Sequence, residues 1–403
     1  MIPRLKPAFD GDELAAAMRQ ASATDVRQFE RAFATRFEAA EAVAFPYGRT
    51  ALKLFFEAVG LKDAEVIAPS YTCVVVQHAI VLSGNIPVFV DNTMTDYNMD
   101  LDQVAAALTP KTGAIVATHL FGFPLDIVRL RAIVNEAEQR YGHKIWVIQD
   151  CAHAFGARWK GRLVSQDGDT ALYGLNISKV MSSVFGGMLT FNDRAVAGRV
   201  REWRDAHLAP GSRVKSLLRF AYLAATYPAF HQVPYGIVHH LQYRTTLLDR
   251  LTKAYHLDAE VRFPPDAGEQ MLPIEARVGI AQLKKYSWMI ERRRAHAQTY
   301  LAGLADVLGW VLPPMPDGAT FSHFPLRVPD RQAAVDHFAR HGVHLGEVVE
   351  YSVGHLPAYQ RFAAGVALPN SLYCSEHMIN LPVHPQLTDA QARRIVEIAR
   401  LIR

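Results

Sequence analysis

The 403-residue sequence has few cysteines, little charge imbalance and no long apolar run, and each absence argues against a class of protein. Its three cysteines, Cys73, Cys151 and Cys374, are too widely spaced for a disulfide framework, a zinc site of paired cysteines or an iron–sulfur cluster. The net charge of +4 does not by itself indicate nucleic acid binding, and no RNA-binding signature is present. No apolar run reaches the roughly 18 residues that span a bilayer.

The amino terminus, MIPRLKPAFDGDEL, lacks the apolar segment of a signal peptide, so we expect a cytoplasmic protein. Half of the residues are apolar, which is enough for a large core in two domains of unequal size. We predict a large domain over 1–206, a helical insertion over 207–262 and a small carboxyl-terminal α/β domain over 263–403.

Strand-length apolar runs alternate with helical patterns through the first half of the chain. This alternation predicts a mostly parallel sheet with helices on both faces. Ligands of such sheets bind at the carboxyl ends of the strands. The chemically interesting residues that directly follow predicted strands, and that should therefore meet at one edge, are Gly48, Tyr71, His119, Asp150 and Lys179.

The stretch from Ile145 to Phe191 carries the most specific chemistry. A strand ends at Asp150, a second strand leads to the lone Lys179, and the pair Gly186-Gly187 precedes a third strand. A pyridoxal phosphate (PLP) enzyme needs a lysine that binds the cofactor's carbonyl carbon and an acid that keeps its ring nitrogen protonated. The same arrangement is common in α/β proteins, so this stretch alone leaves the function open.

A second candidate feature is the turn at Pro46-Tyr-Gly48, which precedes a helix that starts near Thr50. A glycine turn at the start of a helix can bind phosphate through free backbone N–H groups. The pattern is equally typical of an ordinary strand–turn–helix unit.

The segment 213–256 differs from the rest of the chain, with six Lys/Arg against one Asp and many Tyr, Phe and Leu residues. Pro228 and Pro234 are predicted to divide it into short helices. A basic, aromatic, amphipathic segment can lie on a membrane surface. It can also be a helical cap packed on a partner subunit, which is the interpretation we favour.

Taken together, these motifs resemble the DegT/StrS group of PLP-dependent sugar aminotransferases, which have the aspartate aminotransferase fold (fold type I). The resemblance covers nearly the whole chain outside 207–262. The matching segments, in the family's order, are 66–91, 117–126, 149–162, Lys179 with Gly186-Gly187, 275–294 and 381–389.

The resemblance implies a role for each matched residue. Lys179 would form the Schiff base with PLP and carry protons, and Asp150 would pair with the pyridine nitrogen. His153 stands where the family usually has Gln beside the cofactor's phenolic oxygen. Gly48, Arg49 and Thr50 stand at the phosphate turn. The family's stacking aromatic aligns with Cys73, so Tyr71 is an alternative stacking residue.

Two departures from the family pattern affect the phosphate site. A serine expected at position 174 is Gly174, for which Asn176 or Ser178 would substitute. The family's "NYRM" reads Glu269-Gln270-Met271, which alters the contact expected from a partner subunit.

The resemblance implies an aminotransferase that moves an amino group from L-glutamate to a keto-sugar, most simply a nucleotide-linked one, and that forms a homodimer. Two alternatives stay open. One is a PLP enzyme with a lipid-linked or otherwise unusual acceptor, in peripheral contact with a membrane through 213–256. The other is a PLP-binding paralogue without turnover.

Overall fold

The computed structural model describes residues 1–230, 235–236, 260–346 and 349–402. The strands are β1 (Glu41–Phe45), β2 (Glu65–Pro69), β3 (Ile86–Val90), β4 (Thr112–Thr118), β5 (Trp146–Asp150), β6 (Arg158–Trp159), β7 (Arg162–Leu163), β8 (Thr170–Gly174), β9 (Gly187–Phe191), β10 (Phe324–Arg327) and β11 (Met378–Leu381). The α-helices are α1 (Gly11–Met18), α2 (Asp25–Arg36), α3 (Gly48–Ala58), α4 (Val75–Leu82), α5 (Leu101–Ala107), α6 (Ile127–Tyr141), α7 (Arg194–His207), α8 (Arg213–Ala229), α9 (Pro273–Leu304), α10 (Arg331–Arg340), α11 (Pro369–His377) and α12 (Asp389–Ala399).

Seven strands form the central sheet in the order β1-β9-β8-β5-β4-β2-β3. Among these described strands only β9 runs against its neighbours, because it pairs antiparallel with β1 and β8. The carboxyl ends of β1, β2, β4, β5 and β8 therefore lie along one edge. The predicted fold class, an α/β protein with a mostly parallel sheet, is confirmed.

Helices cover both faces of this sheet, as the apolar composition of its strands predicts. In β4, Ala114 and Val116 pack into one core cluster with α3, α4 and α7, while Ile115 and Ala117 pack into another with α6. The carboxyl edge of the sheet is thus held between two packed layers of helices.

The long helix α9 connects the large and small parts of the chain. It has 32 residues, so it is about 48 Å long. Near its start, Arg277 forms a buried ion pair of 2.7 Å with Asp25, the first residue of α2, and α2 packs alongside α9. Its last turns pack with α12 and the antiparallel pair β10–β11 in a separate core cluster. The predicted domain boundaries stay predictions.

Part of the predicted insertion 207–262 lies outside the described residues, including Pro234. Within the described part, α8 continues through Pro228 and ends at Ala229. No helix of the described ranges combines the length and apolar character needed to cross a bilayer.

Candidate active site

A cleft opens at the carboxyl edge of the central sheet, where β1, β5 and β8 end. Its lining comes from four separate parts of the sequence: Tyr47, Gly48, Arg49, Leu52, Cys73, Val75, Val76, Asp150, Ala152, Leu172, Gly174, Asn176, Lys179 and Gly186. The shared edge of the strands therefore brings the predicted lysine, acid and glycine turn together.

The amino terminus of α3 forms one end of the cleft. Its cap residue Tyr47 has an extended backbone, and no side chain caps the helix. Gly187 of β9 lies against this turn so closely that a Cβ there would meet the Gly48 nitrogen at 2.4 Å. A helix start without a side-chain cap leaves backbone N–H groups and a positive dipole end for an anion. Arg49, also in the lining, adds a positive charge.

Lys179 lies in the loop between β8 and β9, where its backbone N–H donates to the Asn176 carbonyl at 3.1 Å. A Cβ on Gly174 would be 3.3 Å from the lysine Cε, so the absence of a side chain at 174 makes room for Lys179. Desolvation lowers the pKa of Lys179, and the charge of Arg49 lowers it further, against opposing effects of Cys73 and Asp150. A lowered pKa favours the neutral amine that attacks carbonyls.

Asp150, the last residue of β5, is 4% exposed. Burial raises the pKa of Asp150. Three interactions oppose this shift: hydrogen bonds from the Ala152 N–H at 3.0 Å and the Thr118 hydroxyl at 3.3 Å, and the charge of Lys179. A buried carboxylate is stabilised by a cation beside it.

The two candidates for the residue that stacks on the cofactor ring, Cys73 and Tyr71, lie in different environments. Cys73 lines the cleft, whereas Tyr71 is fully buried in the core cluster of the small part and is absent from the lining. Asn176 also lines the cleft. Ser178 is exposed, does not line the cleft and donates to the Asn176 side chain at 2.6 Å.

Three other predicted residues do not line the cleft. The Thr50 hydroxyl faces the Ala267 carbonyl at 3.5 Å. His153 accepts a long hydrogen bond of 3.4 Å from the Phe121 N–H and lies 4.8 Å from the His323 ring centre. His119 bonds Gln149 at 2.8 Å, and burial lowers its pKa to about 4, so it is a neutral structural residue.

An ionic cluster beside the cleft was not predicted from the sequence. The Tyr47 hydroxyl donates to Asp266 at 2.8 Å and accepts from Arg219 at 3.0 Å. Arg219 of α8 also donates to Glu275 at 2.9 Å and lies 3.9 Å from the Phe185 ring centre. Burial raises the pKa of Glu275 to about 7 although Arg219 opposes the shift. The cluster ties α8 to the residue that caps α3.

We expect Arg219→Met to destabilise the protein by about 3 kcal/mol, because it leaves Glu275 buried without its partner. The folded-state pKa of Glu275 is raised, so protonation relieves the penalty at low pH and the deficit grows as the pH rises through about 7. Urea unfolding across that range measures it. The exposed Arg213→Met is the control and should change stability by less than about 0.5 kcal/mol. A deficit that shrinks as the pH rises would contradict this account.

Comparison with known proteins shows that this fold is shared with aminotransferases of known structure. The sugar aminotransferase CalS13 from Micromonospora echinospora is 24% identical and superposes with a TM-score of 0.79, covering 99% of both chains. The aminotransferase TlmJ from Streptoalloteichus hindustanus is 24% identical, with a TM-score of 0.76 over 99% of this chain and 98% of its own. DesV from S. venezuelae is 25% identical, with a TM-score of 0.75 over 96% and 93%. A sequence profile matches residues 12–221 and 242–400, and the chain therefore belongs to the DegT/DnrJ/EryC1/StrS aminotransferase family.

Proposed function

We propose that this aminotransferase binds PLP in the cleft and transfers an amino group from L-glutamate to the keto group of a nucleotide-linked sugar. The observation that carries the proposal is the meeting of Lys179, Asp150 and the helix start at Gly48 in one cleft. Aminotransferases of this family are PLP-dependent in general. We further propose a homodimer, as the sequence resemblance implies, and a cytoplasmic location, which fits a chain with three widely spaced cysteines.

The residues of the cleft fit the cofactor. Asp150 would hold its ring nitrogen, Lys179 its aldehyde carbon, and the first turn of α3 with Arg49 and Asn176 its phosphate. A Cβ on Gly187 would lie 2.4 Å from the Gly48 nitrogen, so only a glycine at 187 lets β9 pack against this turn. When bound, PLP supplies an electron sink that stabilises a carbanion on the carbon that bears the amino group.

The protein's own part in the reaction is to move protons and to orient the cofactor. A lysine amine with a lowered pKa can remove the proton from the donor carbon that bears the amino group, and as an ammonium group it can supply a proton to the sugar carbon that receives the amino group. Asp150, fixed by Thr118 and the Ala152 N–H, holds negative charge at one point of the cleft. We propose that Cys73 lies over the cofactor ring in place of the family's aromatic residue, with Tyr71 behind it in the core.

Solved relatives support this chemistry. The DesV structure contains a ketimine intermediate, and a putative sugar aminotransferase from Streptococcus pneumoniae, 20% identical, is known in a PMP form. The catalytic residues Lys179 and Asp150 are both present here, so we do not propose the alternative of a paralogue without turnover.

The test is a two-stage reaction with the purified protein. L-Glutamate alone should shift the visible absorbance of the PLP-loaded enzyme to shorter wavelength and release 2-oxoglutarate in one equivalent per site. Nucleotide-linked keto-sugars added afterwards should restore the original spectrum. If glutamate leaves the spectrum unchanged, L-glutamate is not the amino donor. If only lipid-linked keto-sugars restore the spectrum, the acceptor is not a nucleotide-linked sugar. The lipid-linked alternative is favoured by one observation, the exposure of Leu217 and Leu218 on α8.

A further inference from the structure

Two histidine rings lie side by side next to the cleft. His153 directly follows Ala152, which lines the cleft, and His323 directly precedes β10. Their ring centres are 4.8 Å apart. Gly122 fits between the two loops, since a Cβ there would be 3.1 Å from the His153 carbonyl oxygen and 2.8 Å from the Phe321 nitrogen. Packing therefore brings together two histidines from distant parts of the sequence.

His323 and Lys179 are close enough to act on each other electrostatically. Burial, and then the charge of Lys179, lowers the pKa of both His323 and His153. By surface area His323 and Lys179 are each only partly buried, yet desolvation is the largest cause of both pKa shifts. This combination is expected on the wall of a narrow crevice, where little water surrounds an accessible atom. Both side chains therefore border an enclosed space beside the cleft.

A buried arginine without a carboxylate partner lies beside His323. Arg293 of α9 is 3% exposed; burial lowers its pKa to about 10, and no described carboxylate opposes this shift. Its guanidinium group donates to the carbonyl oxygens of Phe321 at 3.3 Å and Ser322 at 2.8 Å, while its Nε has no partner within the described residues. Arg293 therefore holds the loop that carries His323 and leaves a positive charge there uncompensated, which is unusual in a protein interior.

Each of the two rings has an N–H group that the protein does not use. The Nδ1 atom of His153 accepts from the Phe121 N–H at 3.4 Å, so the hydrogen of the neutral ring lies on Nε2. The Nδ1 atom of His323 lies 2.9 Å from the Ser322 hydroxyl, and accepting from that hydroxyl places its hydrogen on Nε2 as well. In the described part of the chain neither Nε2 atom has an acceptor.

We propose that His323 binds the carboxylate of the amino-acid donor and that Arg293 is its positioning residue, an assignment that rests on the proposed function. In an α-amino acid the carboxylate is bonded to the carbon that bears the amino group, and that carbon has to reach Lys179. The resemblance places His153 at the cofactor's phenolic oxygen, and His323 is the adjoining ring, 4.8 Å away. The other cation of the cleft lining, Arg49, stands at the phosphate turn.

A carboxylate suits this position better than the diphosphate of a nucleotide-linked sugar. The donor carboxylate is one bond from the reacting carbon, whereas the diphosphate is separated from the keto carbon by other carbons of the sugar. The position also lacks negative charge, and cations without a carboxylate attract an anion. The charges that act on His323 are all positive and belong to Lys179, Arg293 and Arg4.

Carboxylate binding should therefore depend on pH in one direction. Burial and these three cations lower the pKa of His323, so the free ring is neutral at pH 7. A carboxylate beside the ring raises its pKa again, so the complex takes up protons and the carboxylate binds more tightly as the pH falls. The adjoining His153 stays neutral, because burial and the charge of Lys179 lower its pKa.

The test is calorimetric binding of glutarate, a dicarboxylate without an amino group, to the full-length PLP-loaded protein. His323→Leu should weaken binding about 10- to 100-fold, because it removes a hydrogen bond to a charged group. His323→Gln, which keeps an N–H donor, should recover part of the affinity. The matched control is His384→Leu: His384 is 4% exposed, and burial and then Arg293 lower its pKa to about 3, without Lys179 among the main causes. This control should bind glutarate within about twofold of the wild type.

Kinetics and pH supply further measurements. In His323→Leu the kcat/KM for L-glutamate should fall about tenfold more than the kcat/KM for the keto-sugar, since only the donor carries the carboxylate. The wild type should bind glutarate more tightly at low than at high pH, and this difference should shrink in His323→Leu. Arg293→Met should also raise the KM for L-glutamate, and Arg293→Lys, which keeps the charge, should raise it less.

Three results would overturn the assignment: no measurable binding of glutarate to the wild type, equal binding to the wild type and His323→Leu, or equal losses for donor and acceptor. If inorganic phosphate binds the wild type more tightly than glutarate and His323→Leu abolishes that binding, the ring holds a phosphate group and the carboxylate assignment is wrong. Glutarate binding that depends on His323, in a protein whose absorbance does not respond to L-glutamate, would support this site and refute the proposed donor.

Discussion

Replacing Lys179 by alanine is expected to lower transamination by about 10⁴-fold or more, because it removes both the covalent attachment of the cofactor and the group that moves protons. No described neighbour can take over this role. Among the described residues that line the cleft, the other cation is Arg49, and a guanidinium group stays protonated. The measurement is the rate of 2-oxoglutarate release with PLP added in excess.

The matched control is Lys284→Ala, which removes an exposed lysine from α9. It should leave the rate within about twofold of the wild type. The alanine variant at 179 should still bind PLP through the helix start at Gly48, and small primary amines should restore part of the rate. Turnover near the wild-type level in Lys179→Ala, or complete loss of PLP binding, would contradict the assigned role.

The sequence predicts which segments meet at the cleft, because the position of each segment depends on the strand that precedes it. Each predicted site segment directly follows a strand, and a parallel sheet places all such ends at one edge whatever the connections between them. Asp150 and Gly48 could be placed in this way without knowledge of any side-chain contact. The long loop from β8 to β9 needed one further signal, the Gly186-Gly187 pair after Lys179.

Side-chain direction at that edge could not be read from the sequence. Tyr71 and Cys73 are two residues apart in an irregular loop, where no regular alternation decides which one faces the cleft. Packing decides it: Tyr71 enters a core cluster built largely from residues beyond 296. His119 follows a strand as predicted, yet its ring is held by Gln149 on the neighbouring strand and by the Leu125 N–H.

The ionic cluster beside the cleft was missed for the same reason. Tyr47 and Arg219 are 172 residues apart, and nothing near either residue in the sequence indicates the other. The segment that supplies Arg219 differs from the rest of the sequence in its basic, aromatic composition. Composition cannot show, however, that the cations of α8 face inward and its leucines outward. That reversal depends on Asp266 and Glu275, which come from the segment that follows the insertion.

The second large effect is expected at Asp150. Asp150→Asn keeps the size of the side chain and an oxygen for the Ala152 N–H, but removes the negative charge from the cleft. Loss of one partner from a buried ion pair costs about 3–5 kcal/mol. If that cost falls on the transition state, the rate of the glutamate half-reaction drops about 10²- to 10⁴-fold.

The control separates charge from geometry. Thr118→Val removes the 3.3 Å hydrogen bond to Asp150 and leaves the carboxylate, so the pKa of Asp150 should rise further while the rate falls by less than about tenfold. Rapid mixing of each PLP-loaded variant with glutamate measures the step directly. Because Lys179 remains, Asp150→Asn should retain its visible absorbance band while its response to glutamate slows. A variant that loses PLP but reacts at the normal rate when the cofactor is resupplied would show that Asp150 anchors the cofactor and contributes little to the stability of the transition state.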